Sequence, residues 1–61
     1  MPTVLIIEDE AKMRRLLELD LADAGLQTVS APDAETGLKL FRENAVDLIV
    51  TDLKLPGGWR W

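Results

Sequence analysis

Sixty-one residues make at most one small domain, in the range where folding buries only about 60% of the unfolded chain's surface, so help from a partner enters the argument at once. The chain has no cysteine and no histidine, which excludes disulfides, thiolate zinc sites, imidazole bases and phosphohistidine chemistry on its own residues. Seven basic against eleven acidic side chains give a net charge of −4, which argues against non-specific attraction to nucleic acid and favours cations or basic protein surfaces.

The first apolar stretch, Thr3 to Ile7, is largely β-branched and does not alternate, as expected of a parallel strand covered on both faces. It runs directly into Glu8, Asp9 and Glu10. Helical spacing follows from Glu10 to Ala24, with Met13, Leu16, Leu17, Leu21 and Ala24 on one stripe, acidic residues favouring the positive helix end, and Gly25 as the stop. Asp20 interrupts that stripe. Either it reaches solvent at the helix edge, or it meets an Arg or Lys of a partner chain, because an unpaired buried carboxylate costs several kcal/mol.

Leu26 to Ala31 reads as a second strand, and Pro32 and Asp33 make a turn in which Asp33 can cap the next helix, with Thr36 in its first turn. That helix runs from about Ala34 to Asn44, with Ala34, Leu38, Phe41 and Ala45 on one face. Gly37 shares the face, and since glycine costs a helix about 1 kcal/mol relative to alanine, close packing is expected there. The third strand is Val46 to Thr51, delivering Asp52, and Lys54, Leu55, Pro56, Gly57 and Gly58 form a loop. The longest apolar run is far short of the roughly 20 residues that span a bilayer, and no signal-peptide pattern opens the sequence, so the expectation is a soluble, cytoplasmic protein that engages neither membrane nor nucleic acid.

Strand, helix, strand, helix, strand with short connections is two consecutive right-handed βαβ units of an α/β fold. If the second crossover reverses direction, the parallel sheet has the order 2-1-3, one helix lies on each face, and the switch point falls between strands 1 and 3. Glu8, Asp9 and Asp52 would converge there. Such carboxylates repel one another unless a cation is bound, one is protonated, or water screens them, and oxygen ligands without His or Cys favour Mg²⁺. Asp9 and Asp52 are the expected direct ligands, with Glu8 acting through water and a backbone carbonyl at Lys54 completing the set. An aspartate in the position of Asp52, beside Mg²⁺, can also accept a phosphoryl group. The alternative is structural: Asp9 caps the helix, Glu8 and Glu10 favour its dipole, and Asp52 opens a turn.

Val4-Leu-Ile-Ile-Glu-Asp-Glu10, Ala24-Gly25-Leu26, Asp47-Leu-Ile-Val-Thr-Asp52 and Leu53-Lys-Leu-Pro-Gly57 together resemble the receiver domain of two-component response regulators, especially regulators of the sigma-54-activating type. The resemblance covers residues 3 to 57. It implies a flavodoxin-like fold and Mg²⁺-dependent transfer of phosphate from a histidine kinase to aspartate. Residue by residue, Asp52 matches the phosphoacceptor, Glu8 and Asp9 the acidic metal pair, and the carbonyl of Lys54 the main-chain metal ligand. Asp33, Phe41 and Pro56 look like framework positions.

The departures define a further expectation. Family receivers continue with strands 4 and 5, which bring a Ser or Thr and a Lys to the phosphoryl oxygens and an aromatic switch residue. None has a counterpart in these 61 residues, where residues 58–61, Gly58-Trp-Arg-Trp61, depart from the family pattern. The reading is therefore residues 1–57 as a half receiver and 58–61 as a divergent tail, with phosphate transfer to Asp52 slow or absent. No turnover of a small substrate is expected. In the 2-1-3 order strand 3 becomes an open edge, so a homodimer through the 46–51 edges, completing a six-stranded sheet and clamped by Trp59 and Trp61, is expected. Two alternatives stay open: a competent phosphoacceptor that borrows the missing groups from a partner, and a gene or experimental fragment without a role of its own.

Overall fold

Val4, Leu5, Ile6 and Ile7 form a deeply buried run, between 0% and 9% exposed, and they make up nearly all of the central strand, β1 (Thr3–Ile7). The computed structural model describes residues 1–51. After β1 come α1 (Ala11–Asp23), β2 (Gln27–Ala31), α2 (Ala34–Glu43) and β3 (Leu48–Thr51). Both partner strands lie parallel to β1, in the order β2-β1-β3. This is the α/β, flavodoxin-like βαβαβ arrangement with the reversal of direction after β2, and the elements match the expected ones to within two residues at each end.

The helices lie on opposite faces of the sheet. Successive residues of a strand point to opposite faces, and Ser30 of β2 donates its hydroxyl hydrogen to Glu18 of α1, whereas its neighbour Ala31 lies 3.8 Å from where a Cβ on Gly37 of α2 would stand. Both helices pack over β1 and β2, and neither packs over β3. The apolar interior is correspondingly narrow: Val4, Leu5, Ile6, Ile7 and Ala31.

That narrowness corrects the stripe expected on α1. Arg14, Leu17, Glu18 and Leu21 form the half-covered line, while Ala24 is exposed and Met13 and Leu16 remain 41% and 56% exposed. Two strands are too narrow a floor for the whole stripe. Asp20, beside Leu16, is exposed, so on this chain it reaches solvent. On α2 the apolar residues Ala34, Leu38 and Phe41 border a groove of about 270 Å³ with Leu5, Ile7 and Ile49.

The ends of α1 differ from one another. Its first residue is Ala11, with Glu10 as the N-cap making no side-chain capping bond, so the acidic run precedes the helix and no acid stands in its first turn. At the other end Gly25 has φ +85°, and the Gly25 N–H donates to the Ala22 carbonyl (3.0 Å) and the Leu26 N–H to the Leu21 carbonyl (3.0 Å). Those two bonds are a Schellman closure, which requires the left-handed backbone that glycine adopts without a Cβ clash. At the amino-terminal edge of the sheet, Asp47 donates its N–H to the Thr3 carbonyl (2.8 Å) and its carboxylate accepts from the Thr3 N–H (2.8 Å), which locks β3 to β1.

Candidate functional site

All three strands end at one level. Ile7 is in register with Ala31 of β2 and with Thr51 of β3, so the carboxyl edge of the sheet is even, and the β1–α1 link leaves from its centre. This is where open α/β sheets bind ligands. The link is three residues long, Glu8, Asp9 and Glu10, all acidic.

Each of the three is held differently. Glu8 continues the line of β1, donating its N–H to the Ala31 carbonyl (3.0 Å), and it is 2% exposed, the one buried charged residue among the described residues. Its Oε2 accepts from the Glu10 N–H at 3.2 Å. Its main-chain carbonyl accepts from Nη1 of Arg14 at 2.8 Å. Asp9, between them, is exposed. Of the two residues expected to serve a cation, Glu8 is therefore buried and Asp9 faces solvent.

Asp33 stands at the same edge, two residues beyond the end of β2. Its Oδ1 accepts from the Thr36 N–H at 2.7 Å, giving the N-cap expected from the sequence. That bond, from a backbone donor at a positive helix end, holds the Asp33 carboxyl below its usual 3.8. Glu18, on the α1 face, is also held below its usual value of 4.5, first by the Ser30 hydroxyl and then by Arg15.

Asp52, Lys54, Pro56, Trp59 and Trp61 lie outside the described residues, so the convergence of Asp52 with Glu8 and Asp9 and the carbonyl ligand at Lys54 are expectations of the sequence. Among the described residues no three acidic side chains are gathered tightly enough to form a metal cluster. The donors that are present do fit Mg²⁺ chemically. That ion takes oxygen ligands, keeps several waters, and is commonly held through one or two carboxylates.

The sequence reading passed over Arg14, which grips the acidic link. Its signal is legible in retrospect: a cation in the first turn of a helix is disfavoured by the helix dipole, so an arginine directly after an acidic run calls for a local partner. Among the described residues no helix is long and apolar enough to cross a membrane.

Comparison with known proteins points the same way. The family described as the response regulator receiver domain matches residues 4–59. Transcriptional regulatory protein AfsQ1 of Streptomyces coelicolor is 49% identical over 57 residues, which is 93% of this chain and 25% of that protein. The probable transcriptional regulator ycf27 of Porphyridium aerugineum is 42% identical over 53 residues, 87% of this chain and 22% of that protein. The autoinducer 1 sensor kinase/phosphatase LuxN of Vibrio harveyi is 36% identical over 55 residues, 90% of this chain and 6% of that protein. The chain thus spans a quarter or less of the length of these relatives, and no solved structure matches it significantly. With the order β2-β1-β3, the even carboxyl edge, the acidic link and the family match over residues 4–59 together, this chain belongs to the response regulator receiver domain family.

Proposed function

We propose that this chain is a receiver derivative that assembles as a homodimer through β3, keeps at most a residual Mg²⁺ site at Glu8, Asp9, Asp52 and the Lys54 carbonyl, and accepts phosphate at Asp52 weakly or not at all. Receivers are signalling modules of two-component systems rather than enzymes, and they use Mg²⁺ to take a phosphoryl group onto aspartate. The observation that carries the reading is the state of β3. Neither helix packs over it, and its Leu48 and Ile49, on opposite faces, are 57% and 44% exposed. A bare, apolar edge strand invites pairing with another strand, and a two-fold arrangement of identical edges is the commonest way to cover one. The six-stranded sheet would run 2-1-3-3'-1'-2', with Trp59 and Trp61 adding apolar area at the seam.

Weak phosphorylation follows from chemistry. With these 61 residues alone, a phosphoryl group on Asp52 would lack the hydroxyl and lysine that compensate its charge in family members. The likeness to regulators of the sigma-54-activating type rests on the sequence motifs between Val4 and Gly57 alone. A cytoplasmic location and a histidine kinase partner belong to the same reading.

Sedimentation equilibrium at micromolar concentration, on the wild type and on Leu48→Lys, tests the assembly. A dimer that Leu48→Lys dissociates into folded monomers is the expected outcome. An unfolded monomeric wild type would favour a fragment without a role and overturn the dimer.

A second reading, a competent phosphoacceptor, is favoured by one observation: β1 and β3 end in register at Ile7 and Thr51, directly before Glu8 and Asp52 in the sequence. Intact mass after exposure to acetyl phosphate and Mg²⁺ separates the two. A phosphate adduct lost in Asp52→Asn would establish the second reading. No adduct, under conditions that label a complete receiver, leaves the first.

A further inference from the structure

Arg14 touches the acidic link at both of its ends. Its backbone N–H donates to the Glu10 carbonyl (2.9 Å), and its guanidinium donates to the Glu8 carbonyl (2.8 Å). Asp9 is the residue bracketed between those two carbonyls. The remaining fastenings of the link, the Glu8 N–H on Ala31 and the Glu10 N–H on Glu8 Oε2, both act through Glu8. The backbone at exposed Asp9 is therefore set by how Glu8 and Glu10 are held: the Glu10 carbonyl takes the first regular bond of α1, and the Arg14 side chain, half-buried in the first turn of that helix, holds the Glu8 carbonyl.

Two effects of this arginine on a cation at the acidic edge oppose each other. Its positive charge repels a divalent ion, and so weakens binding. Its charge-assisted hydrogen bond orders the main chain on the amino side of Asp9, which strengthens binding by removing the need to order the link when the ion arrives. The guanidinium is committed to a main-chain carbonyl, so it is held as a clamp.

We propose that Arg14 is the positioning residue of the acidic site, ordering the link from Glu8 to Glu10 so that Asp9 is presented to Mg²⁺. The proposal rests on the reading that the acidic edge still binds Mg²⁺, and the two can fail separately.

The test uses the full chain, its Arg14→Met and Arg14→Lys variants, and Mg²⁺ alone, followed through the backbone amide resonances of Asp9 and Glu10. Arg14→Met keeps the apolar stem and loses the donor, and it is expected to weaken Mg²⁺ binding by about tenfold, the usual loss when a group supporting a metal ligand is removed. Arg14→Lys keeps a cationic donor on a shorter stem and is expected to restore part of that loss. If the charge alone mattered, Arg14→Met would bind Mg²⁺ more tightly than the wild type, and equal or tighter binding overturns the proposal.

If the wild-type amides do not respond to Mg²⁺, the metal reading has failed and the clamp is read by hydrogen exchange. The Glu10 amide should then exchange faster in Arg14→Met, while the Leu26 amide, bonded to Leu21 at the far end of α1, is unchanged. Equal protection of Glu10 in both proteins overturns the clamp.

Discussion

Gly37 of α2 lies against Ile7 of β1 so closely that a Cβ on the glycine would stand 2.6 Å from Ile7 Cδ1 and 2.8 Å from its Cγ1. The contact sets how near α2 comes to the sheet, and it explains a glycine in the middle of a helix, where alanine would be better by about 1 kcal/mol on propensity alone. Gly37→Ala is expected to destabilise the fold by up to about 2 kcal/mol, because overpacking costs about 1 to 3 kcal/mol against that gain of about 1. Chemical denaturation measures it. Ile7→Val removes Cδ1, the nearer of the two atoms, so the double variant should recover part of the loss; a Gly37→Ala protein as stable as the wild type would contradict the close approach.

Asp33 supplies the N-cap of α2 through the Thr36 N–H. Asp33→Ala should lower the stability, and Asp33→Ser much less, because serine retains a capping oxygen. Thermal unfolding at neutral pH gives both values, and equal losses for the two substitutions would show that the cap contributes little.

The Asp33 carboxyl is held below its usual 3.8 and that of Glu18 below its usual 4.5. A carboxyl with a lowered folded pKa binds a proton more readily in the unfolded chain, so the stability it contributes is fully present above the unfolded value and is lost as pH falls through the folded one. Stability should therefore begin to decline as pH falls to about 4.5 and continue to fall below 3.8. Ser30→Ala removes the largest cause of the Glu18 shift and should flatten the upper part of that decline, at a cost of about 1 kcal/mol at pH 7. Denaturation midpoints measured from pH 3 to pH 7, on both proteins, check this.

Gly25, at φ +85°, has nothing within 4 Å of where a Cβ would stand. Any cost of Gly25→Ala is then one of backbone conformation and not of collision, which is about 1 to 2 kcal/mol for an L-residue held in the left-handed region. Gly25→Asn should cost less, since asparagine visits that region more readily. Equal stability for all three residues would argue against the Schellman closure.

The elements were legible in the sequence where local chemistry decides them. Thr3 to Ile7 is a strand from its unbroken apolar composition, Gly25 stops α1 because the required φ is positive, and Asp33 starts α2 because its carboxylate can meet the Thr36 N–H. The stripe on α1 was misread at Met13, Leu16 and Ala24, since periodicity states which side of a helix is apolar and not how much sheet lies beneath it. Arg14 was passed over for a similar reason: its partner is a main-chain carbonyl six residues earlier, and only the turn from β1 into α1 brings the two together.

By itself, then, the sequence determined the order of elements, the turn chemistry between them, the acidic run after β1 and the family to which these belong. The pairing of β1 with both neighbours, the even carboxyl edge at Ile7, Ala31 and Thr51, and the lack of a helix over β3 among the described residues were decided only in three dimensions. Strand register and helix placement depend on contacts between residues distant in the chain, here Gly37 against Ile7 and Asp47 against Thr3. Such contacts leave no period in the sequence.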